Sequence, residues 1–392
     1  MTKRRLGVRG PEVSPLGFGC MRLPTRDGRI DRPAAATMLR TALDRGVNYV
    51  DTAWPYHDGE SETFLAEVLE SGSYGHVLVA DKLPTWLVES PADLDRFFDE
   101  QRRRLKRDRI DVYLLHALDA KRWPAMQAVG ADEWLHRRKE AGDIGWAGFS
   151  FHDDYPAFES IVAGWDWDIC QIQYNFMDVE EQAGTRGLEL AAGKGIGTVV
   201  MEPLLGGNLV DPPAPVEAVW RRSAEPRWSA AERALRWLWN RRDVDLVLSG
   251  MSRLDQVEEN LRVAEAAEPE GLNAAEAALY DEVRSVYRSL KAIGCTGCGY
   301  CMPCPQGVDI PWNFRTFNTF AMYGNADWSR GQYRWMRASY EKGLSEADPR
   351  AEMCISCGEC EPKCPQKLDI GRLMPQVAEV LGGSKEPAEI RL

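Results

Sequence analysis

Short apolar, β-branched runs alternate with amphipathic stretches along most of this chain. Val13 to Gly19, Val47 to Asp51, His76 to Lys82, Ile110 to His116, Ile144 to Ser150, Asp168 to Gln173, Gly197 to Glu202 and Val244 to Ser249 read as strands. Between them, Pro33 to Arg45, Glu60 to Glu70, Leu94 to Leu105, Thr185 to Gly193, Ala230 to Asn240 and Leu254 to Ala266 carry apolar residues at helical spacing. Eight such units over about 250 residues predict an α/β fold, a (β/α)8 TIM barrel, whose chemistry sits at the C-terminal ends of the strands. Polar residues that end strands therefore matter most. They are Asp51, Lys82 and His116, with Tyr56 in the loop after Asp51.

Past the barrel pattern, Asn273-x-x-Glu276 forms a capping box, and Leu279, Val283, Val286 and Leu290 follow at helical spacing. These predict a helix from Asn273 to about Ala292. The expected division is a barrel over 1–270, a connecting amphipathic helix over 271–293 and a smaller domain over 294–392. No low-complexity segment or short sequence repeat is expected.

Eight of the ten cysteines crowd into that last part, as Cys295, Cys298, Cys301 and Cys304, then Cys354, Cys357, Cys360 and Cys364. Cys-x2-Cys-x2-Cys lets one loop present three thiolates to a single iron-sulfur cubane. Four disulfides are the first alternative, but the chain opens MTKRRLGVRG without an apolar leader core, which predicts a cytoplasmic, reducing setting. Zinc is the stronger competitor, although triplet-plus-one runs with trailing prolines at Pro305 and Pro365 fit cubanes better. Cys20 and Cys170 lie in apolar stretches and read as small buried hydrophobes.

These runs resemble bacterial ferredoxins that carry two 4Fe-4S clusters. The first run departs by having two residues, where three are usual, before its last cysteine. The resemblance implies that each fourth cysteine serves the other run's cluster: Cys295, Cys298, Cys301 and Cys364 on one, Cys354, Cys357, Cys360 and Cys304 on the other. The 49 residues between the runs include PWNFRTFNTFAMYG and GQYRWMRASYEKGL. Their aromatic-rich helical patterns make the module resemble an α-helical ferredoxin-like domain. Aromatic cover could tune the clusters, or form the docking face of a redox partner protein.

With 392 residues, 44% of them hydrophobic, the chain is long enough for a barrel plus a module. A net charge of -12 and the absence of a membrane-length apolar run argue against nucleic acid and membrane as partners.

The segments GVNYVDTAWPYHDGESE, VLVADK and DVYLLH, with the opening LGVRGPEVSPLGFGCMRLP, resemble the aldo/keto reductases over roughly residues 3 to 268. The resemblance implies an oxidoreductase acting on a small-molecule carbonyl or alcohol. The residue types agree with it. Hydride addition to a carbonyl leaves an alkoxide, which needs a proton donor that stays protonated in water. Tyr56 is the expected donor; Lys82 would lower its pKa, Asp51 would hold the lysine, and His116 would hydrogen-bond the carbonyl oxygen.

The resemblance also implies NADP or NAD across the barrel mouth. Ser150, Gln173 and Asn175 would hold the carboxamide end, Met201 takes the place of the usual stacking aromatic, and Asn260 lies near the adenine. The positions of the usual lysine and arginine fall on Gly250 and Gln256, leaving Arg253 as the nearby cation for a 2'-phosphate. Trp54, Trp86 and Trp123 are candidates to line a substrate pocket. His57 and His152 could add a second acid or base, and Arg102 to Arg109 reads as a solvated helix face. The leading expectation is carbonyl-alcohol interconversion with Tyr56 as acid and base and two clusters carrying electrons. The alternatives are an ordinary NAD(P)H reductase with structural or redox-sensing clusters, and an electron-transfer protein on a retired barrel.

Overall fold

Eight parallel strands close on themselves in chain order: β1 (Leu16–Gly19), β2 (Tyr49–Asp51), β3 (Leu78–Leu83), β4 (Ile110–Leu118), β5 (Ile144–Phe151), β6 (Ile169–Gln173), β7 (Gly197–Met201) and β8 (Leu246–Ser249). β8 returns to β1 through the pairs Val247 with Leu16 and Ser249 with Phe18, which completes the barrel. The computed structural model describes residues 1–343 and 346–389. Two two-stranded hairpins, Arg4–Arg5 with Glu12–Val13 and Thr25–Arg26 with Arg29–Ile30, flank β1. The hydrophobic pattern is too short there for either to be foreseen.

Helices α1 (Arg32–Asp44), α2 (Ser61–Glu70), α3 (Pro91–Leu105), α4 (Arg122–Ala128), α5 (Ala131–Glu140), α6 (Tyr155–Gly164) and α7 (Gly184–Gly193) separate the first seven strands. α4 to α6 were not predicted from periodicity. α6 starts at an Asp154 side chain that accepts from Ala157 N, with a proline in the first turn, a start signal of composition rather than of period. Further on come α8 (Ala214–Trp220), α9 (Ala230–Trp239), α10 (Leu254–Glu265), α11 (Ala274–Ser289), α12 (Ile310–Tyr323), α13 (Ala326–Glu341) and α14 (Ile370–Leu381).

Strand parity decides what the barrel holds. Tyr49, Ala80, Val112, Leu114, Ile169, Val199, Leu246 and Leu248 share the interior cluster, while Val50, Val79, Leu83, Tyr113, Leu115, Phe149, Cys170, Ile172, Val200 and Val247 join the shell beneath the helices. Side chains alternate between the two faces of a strand. Asp51, Lys82, His116, Ser150, Gln173 and Met201 therefore continue the interior rows at the strand ends. The interior is tight: a Cβ on Gly148 would stand 2.3 Å from Ile169 O and 2.8 Å from a Leu114 methyl. Gly148→Ala is expected to destabilise the barrel by about 2 kcal/mol or more, read as a lower denaturant midpoint for its unfolding.

The chain forms two compact units, Met1–Leu205 with Ala231–Asn273, and Gly206–Ala230 with Ala274–Leu392. Segment 206–230, inside the 1–270 span expected for the barrel domain, thus groups with the cysteine-rich unit. There the Glu276 carboxylate is buried and accepts from the Ser223 hydroxyl at 2.9 Å and from Ala224 N at 2.8 Å. Trp220 meets Tyr280 edge-on at 4.9 Å, and Asn325 Nδ2 donates to Asn208 Oδ1 at 2.9 Å. Glu276, expected as a capping-box partner, also serves this segment.

Within the second unit a short repeat emerges that linear reading did not find: CPQGVDI at 304–310 and CPQKLDI at 364–370. In both copies the aspartate caps the next helix, Asp309 accepting from Trp312 N and Asp369 from Arg372 N. The core of the unit gathers Phe314, Phe317, Phe320, Met374, Val377 and Val380 around Cys301, with the cysteines on its edge. No helix among the described residues is long and apolar enough to cross a membrane.

Candidate active site

Lys82 is the centre of the barrel site. It is fully buried, and its Nζ donates to Asp51 Oδ1 at 2.7 Å, to Thr52 O at 2.8 Å and to the Tyr56 hydroxyl at 3.3 Å. Burial lowers its pKa, but Asp51 and Tyr56 more than offset this and hold the lysine above its ordinary pKa. Burial likewise pushes the Tyr56 phenol up, and the Lys82 ammonium pulls it back. The His116 ring stands edge-on to Tyr56 with centroids 6.2 Å apart. Its pKa lies well below the ordinary value because it is buried beside Lys82, so it is a neutral hydrogen-bonding group at physiological pH.

A buried network that sequence reading missed fixes the Lys82 peptide from outside the barrel. Lys82 N donates to Asp81 Oδ1 at 2.8 Å, and Gln101 Nε2 donates to Lys82 O at 3.0 Å and Glu62 Oε1 at 3.1 Å. The Tyr113 hydroxyl orients that amide through Gln101 Oε1 at 2.6 Å. Burial and the neighbouring Glu62 raise Asp81 well above the carboxylate range, so this carboxyl keeps its proton. The signal was present as charged residues inside apolar runs.

Of the three tryptophans, Trp86 faces the site: it is 44% exposed and meets the His116 ring at 5.1 Å. Trp54 packs under Arg104 at 3.7 Å and against Phe97 at 4.9 Å. Trp123 is buried against Trp167 and belongs to the core, which corrects its candidacy for the pocket. His152 is lowered by burial, and His57 is tied to the backbone of Cys20. The basic stretch at 102–109 is spent in ion pairs such as Arg104 with Glu62 at 2.8 Å and Arg107 with Asp111 at 3.1 Å.

The residues expected at the nicotinamide are only partly free for it. Gln173 Nε2 and Asn175 Nδ2 donate to Asp178 Oδ2 at 2.7 and 3.3 Å, and Gln173 Oε1 accepts from Gln182. Asp178, which sequence reading did not single out, is pushed up to about 6 by burial. The Ser150 hydroxyl oxygen accepts from Ala117 N at 2.7 Å and keeps its own proton to donate. Met201 is half-buried at the interior end of β7. Asn260 is buried and donates to Ser249 Oγ at 3.0 Å. Arg253 is engaged by Asp255 through bonds of 2.9 and 2.7 Å, and Gln256 caps the start of α10 by accepting from Ser252 N and Arg253 N. Ser150 and Met201 fit a nicotinamide ring and its amide; the 2'-phosphate finds no uncommitted cation among these residues.

The cysteines fit clusters. One cavity is lined by Cys295, Cys298, Cys301 and Cys364, and the other by Cys304, Cys354, Cys357 and Cys360 together with Cys301. This lining matches the crossed grouping that the ferredoxin resemblance implies. The two runs share a backbone form: Gly297 and Ser356 both have positive φ, and their N–H groups donate to Cys295 Sγ and Cys354 Sγ at 3.4 Å. Among the described residues no three His, Cys, Asp or Glu side chains converge as a single-ion site, as zinc would require.

A closed parallel barrel with this lysine-centred site, followed by a two-cavity cysteine module, defines a reductase barrel joined to an iron-sulfur unit. The chain belongs to the aldo/keto reductase family, whose profile matches residues 15–279, and carries a C-terminal 4Fe-4S dicluster domain matching residues 294–368. It is 26% identical to aflatoxin B1 aldehyde reductase member 4 of Homo sapiens over 292 residues, 60% of this chain and 85% of that protein. It is 26% identical to L-galactose dehydrogenase of Arabidopsis thaliana over 317 residues, 74% of this chain and 97% of that one. A solved aldo-keto reductase from Bacillus halodurans, in its holo form, superposes with a TM-score of 0.61 at 27% identity, covering 72% of this chain and 96% of that one.

Proposed function

We propose that this oxidoreductase interconverts a small carbonyl compound and its alcohol at the barrel site, with Tyr56 as acid and base, and that the dicluster unit carries electrons. The observation that supports the reading is the Lys82 ammonium, fully buried, placed between Asp51 and the Tyr56 hydroxyl. The two relatives named above, an aldehyde reductase and a sugar dehydrogenase, are consistent with it.

A nicotinamide, when bound, supplies or takes up hydride. The rest falls to the chain. His116 is neutral and donates a hydrogen bond to the substrate oxygen without protonating it. As negative charge develops on that oxygen, Tyr56 gives up its phenolic proton, and Lys82 stabilises the phenolate left behind. Asp51 and Thr52 O keep the ammonium in place. Trp86 closes one side beside His116 and limits water. In the alcohol-to-carbonyl direction Tyr56 takes the proton back, which requires the phenolate at the start. Ser150 would hold the carboxamide and Met201 would lie against the ring. The eight cysteines would hold the clusters, which supply one-electron exchange.

The nicotinamide preference follows from Arg253. With Asp255 holding the Nε and Nη2 edge of its guanidinium, NADH is expected to serve at least as well as NADPH. Asp255→Asn frees Arg253 for a phosphate and should lower the KM for NADPH about tenfold while leaving that for NADH unchanged. Steady-state aldehyde reduction with each nucleotide tests both this preference and the activity itself; no turnover of either nucleotide with simple aldehydes would count against a hydride-transfer site.

A second reading, in which the clusters are structural, is favoured by the position of Cys301 within the apolar core of its unit. Cluster removal separates the two.

A further inference from the structure

The loop that carries Tyr56 is strained at two adjacent residues that are not glycine. His57 has φ 52° and ψ 47°, and Asp58 has φ 53° and ψ 33°; Gly59 follows at φ 85°. Side chains with a Cβ avoid this left-handed region, and two in succession are maintained only where surrounding bonds hold them. The base of the loop is closed by the Thr52 and Ser61 hydroxyls, 2.8 Å apart. Within it, Tyr56 N donates to Ala53 O at 3.1 Å and Glu60 N to His57 O at 3.0 Å. One side chain reaches across to another barrel segment from the tip: His57 Nε2 lies 3.0 Å from the carbonyl of Cys20, the buried residue that follows β1. A carbonyl only accepts, so His57 is the donor.

We propose that His57 is a positioning residue whose hydrogen bond to the Cys20 carbonyl clamps the strained loop and thereby holds the Tyr56 hydroxyl at Lys82. The clamp acts on the residue next to Tyr56, from the strand neighbouring the one that ends in Asp51. Without it the loop can relax toward right-handed backbone angles, and the 3.3 Å approach of hydroxyl to ammonium is the contact it loses. A plain turn into α2 would need the left-handed angles but not the imidazole. The inference rests on Tyr56 acting as acid and base.

His57→Gly separates the two roles, because glycine accepts the backbone angles and removes the donor. The expected result is a melting temperature equal to or above that of the unmodified chain, together with a Tyr56 phenol that titrates at higher pH. Titration is followed by NMR of ring-labelled tyrosine in the holo-chain, with the signal assigned by its absence in Tyr56→Phe. Aldehyde reduction should fall about 10- to 100-fold in kcat, with KM little changed. His57→Gln, which restores an amide donor of similar reach, should recover the titration and most of the turnover. A His57→Gly chain with an unshifted Tyr56 titration and undiminished kcat would overturn the inference. Turnover retained in Tyr56→Phe would overturn the acid-base reading itself, and the inference with it.

Discussion

Tyr56→Phe lowers aldehyde turnover by about 10²- to 10⁴-fold with little change in KM, since the loss of a placed proton donor costs that much and the ring still fills its place. The visible absorption of the clusters should stay intact, because all eight cysteines lie in the other compact unit. The companion change at Lys82 is less clean. Removing the cation leaves Asp51 buried without its partner, at about 3 to 5 kcal/mol of stability. It also leaves the effect of burial on Tyr56 unopposed, so the phenol titrates at higher pH still. The sign in the pH profile follows: reduction needs the protonated phenol and fails as pH rises through its pKa, so Lys82→Met moves that limb upward. Alcohol oxidation needs the phenolate and gains along the same limb. A Tyr56→Phe chain that keeps wild-type turnover would exclude Tyr56 as the proton donor.

Cys364→Ser is expected to remove the cluster of the other run. Cys364 lines a cavity with Cys295, Cys298 and Cys301, 63 residues or more away in sequence, while the cavity of its own run is completed by Cys304. Iron content should fall from about eight to about four per chain, with the signal of the remaining cluster preserved. Loss of all iron, or of the Cys354 cluster alone, would refute the crossed arrangement. Complete removal by a chelator has a larger consequence. The two cavities border the apolar core built on Phe314, Phe317, Phe320 and Met374, so emptying them should abolish the cooperative melting of the second unit. The barrel, with its own core, should keep its transition. If aldehyde reduction with NADH then continues unchanged, the clusters are structural; if it collapses while the barrel stays folded, electrons or order from the second unit are required.

Much of the barrel was legible because its physics is local. A strand buried on both faces is a β-branched apolar run, and a polar residue ending such a run stands out, as Asp51, Lys82 and His116 do. Period-two alternation then aims them inward without knowledge of the partner strands. The cysteine runs are legible for a related reason, since three ligands on one short loop are a property of spacing. α4 to α6 escaped the periodic reading, and the start of α6 rests on capping by Asp154 and on a proline in its first turn. The hairpins at either side of β1 are two residues per strand, too short for any period.

Other features depend on how a loop folds back or on residues far apart in sequence. Asp178 gathers the amides of Gln173 and Asn175 only once the loop after β6 folds back, so residues expected to meet a cofactor are engaged with the chain itself. Trp123 reads like Trp86 in sequence, yet one meets Trp167 in the core and the other meets His116. The allocation of 206–230 to the cysteine-rich unit depends on Glu276 and Tyr280, which lie more than fifty residues from their partners.

The hydrophobic pattern and cysteine spacing by themselves determined a barrel, three polar strand ends with a tyrosine in the loop after the first, and a pair of cluster loops, because each is encoded within a few turns or one loop. Tertiary structure alone decided which carboxyl keeps a proton behind Lys82, which cysteine completes which cavity, and how a strained loop is held at His57. Those outcomes turn on burial and on bonds between segments distant in sequence, and neither quantity exists until the chain has closed.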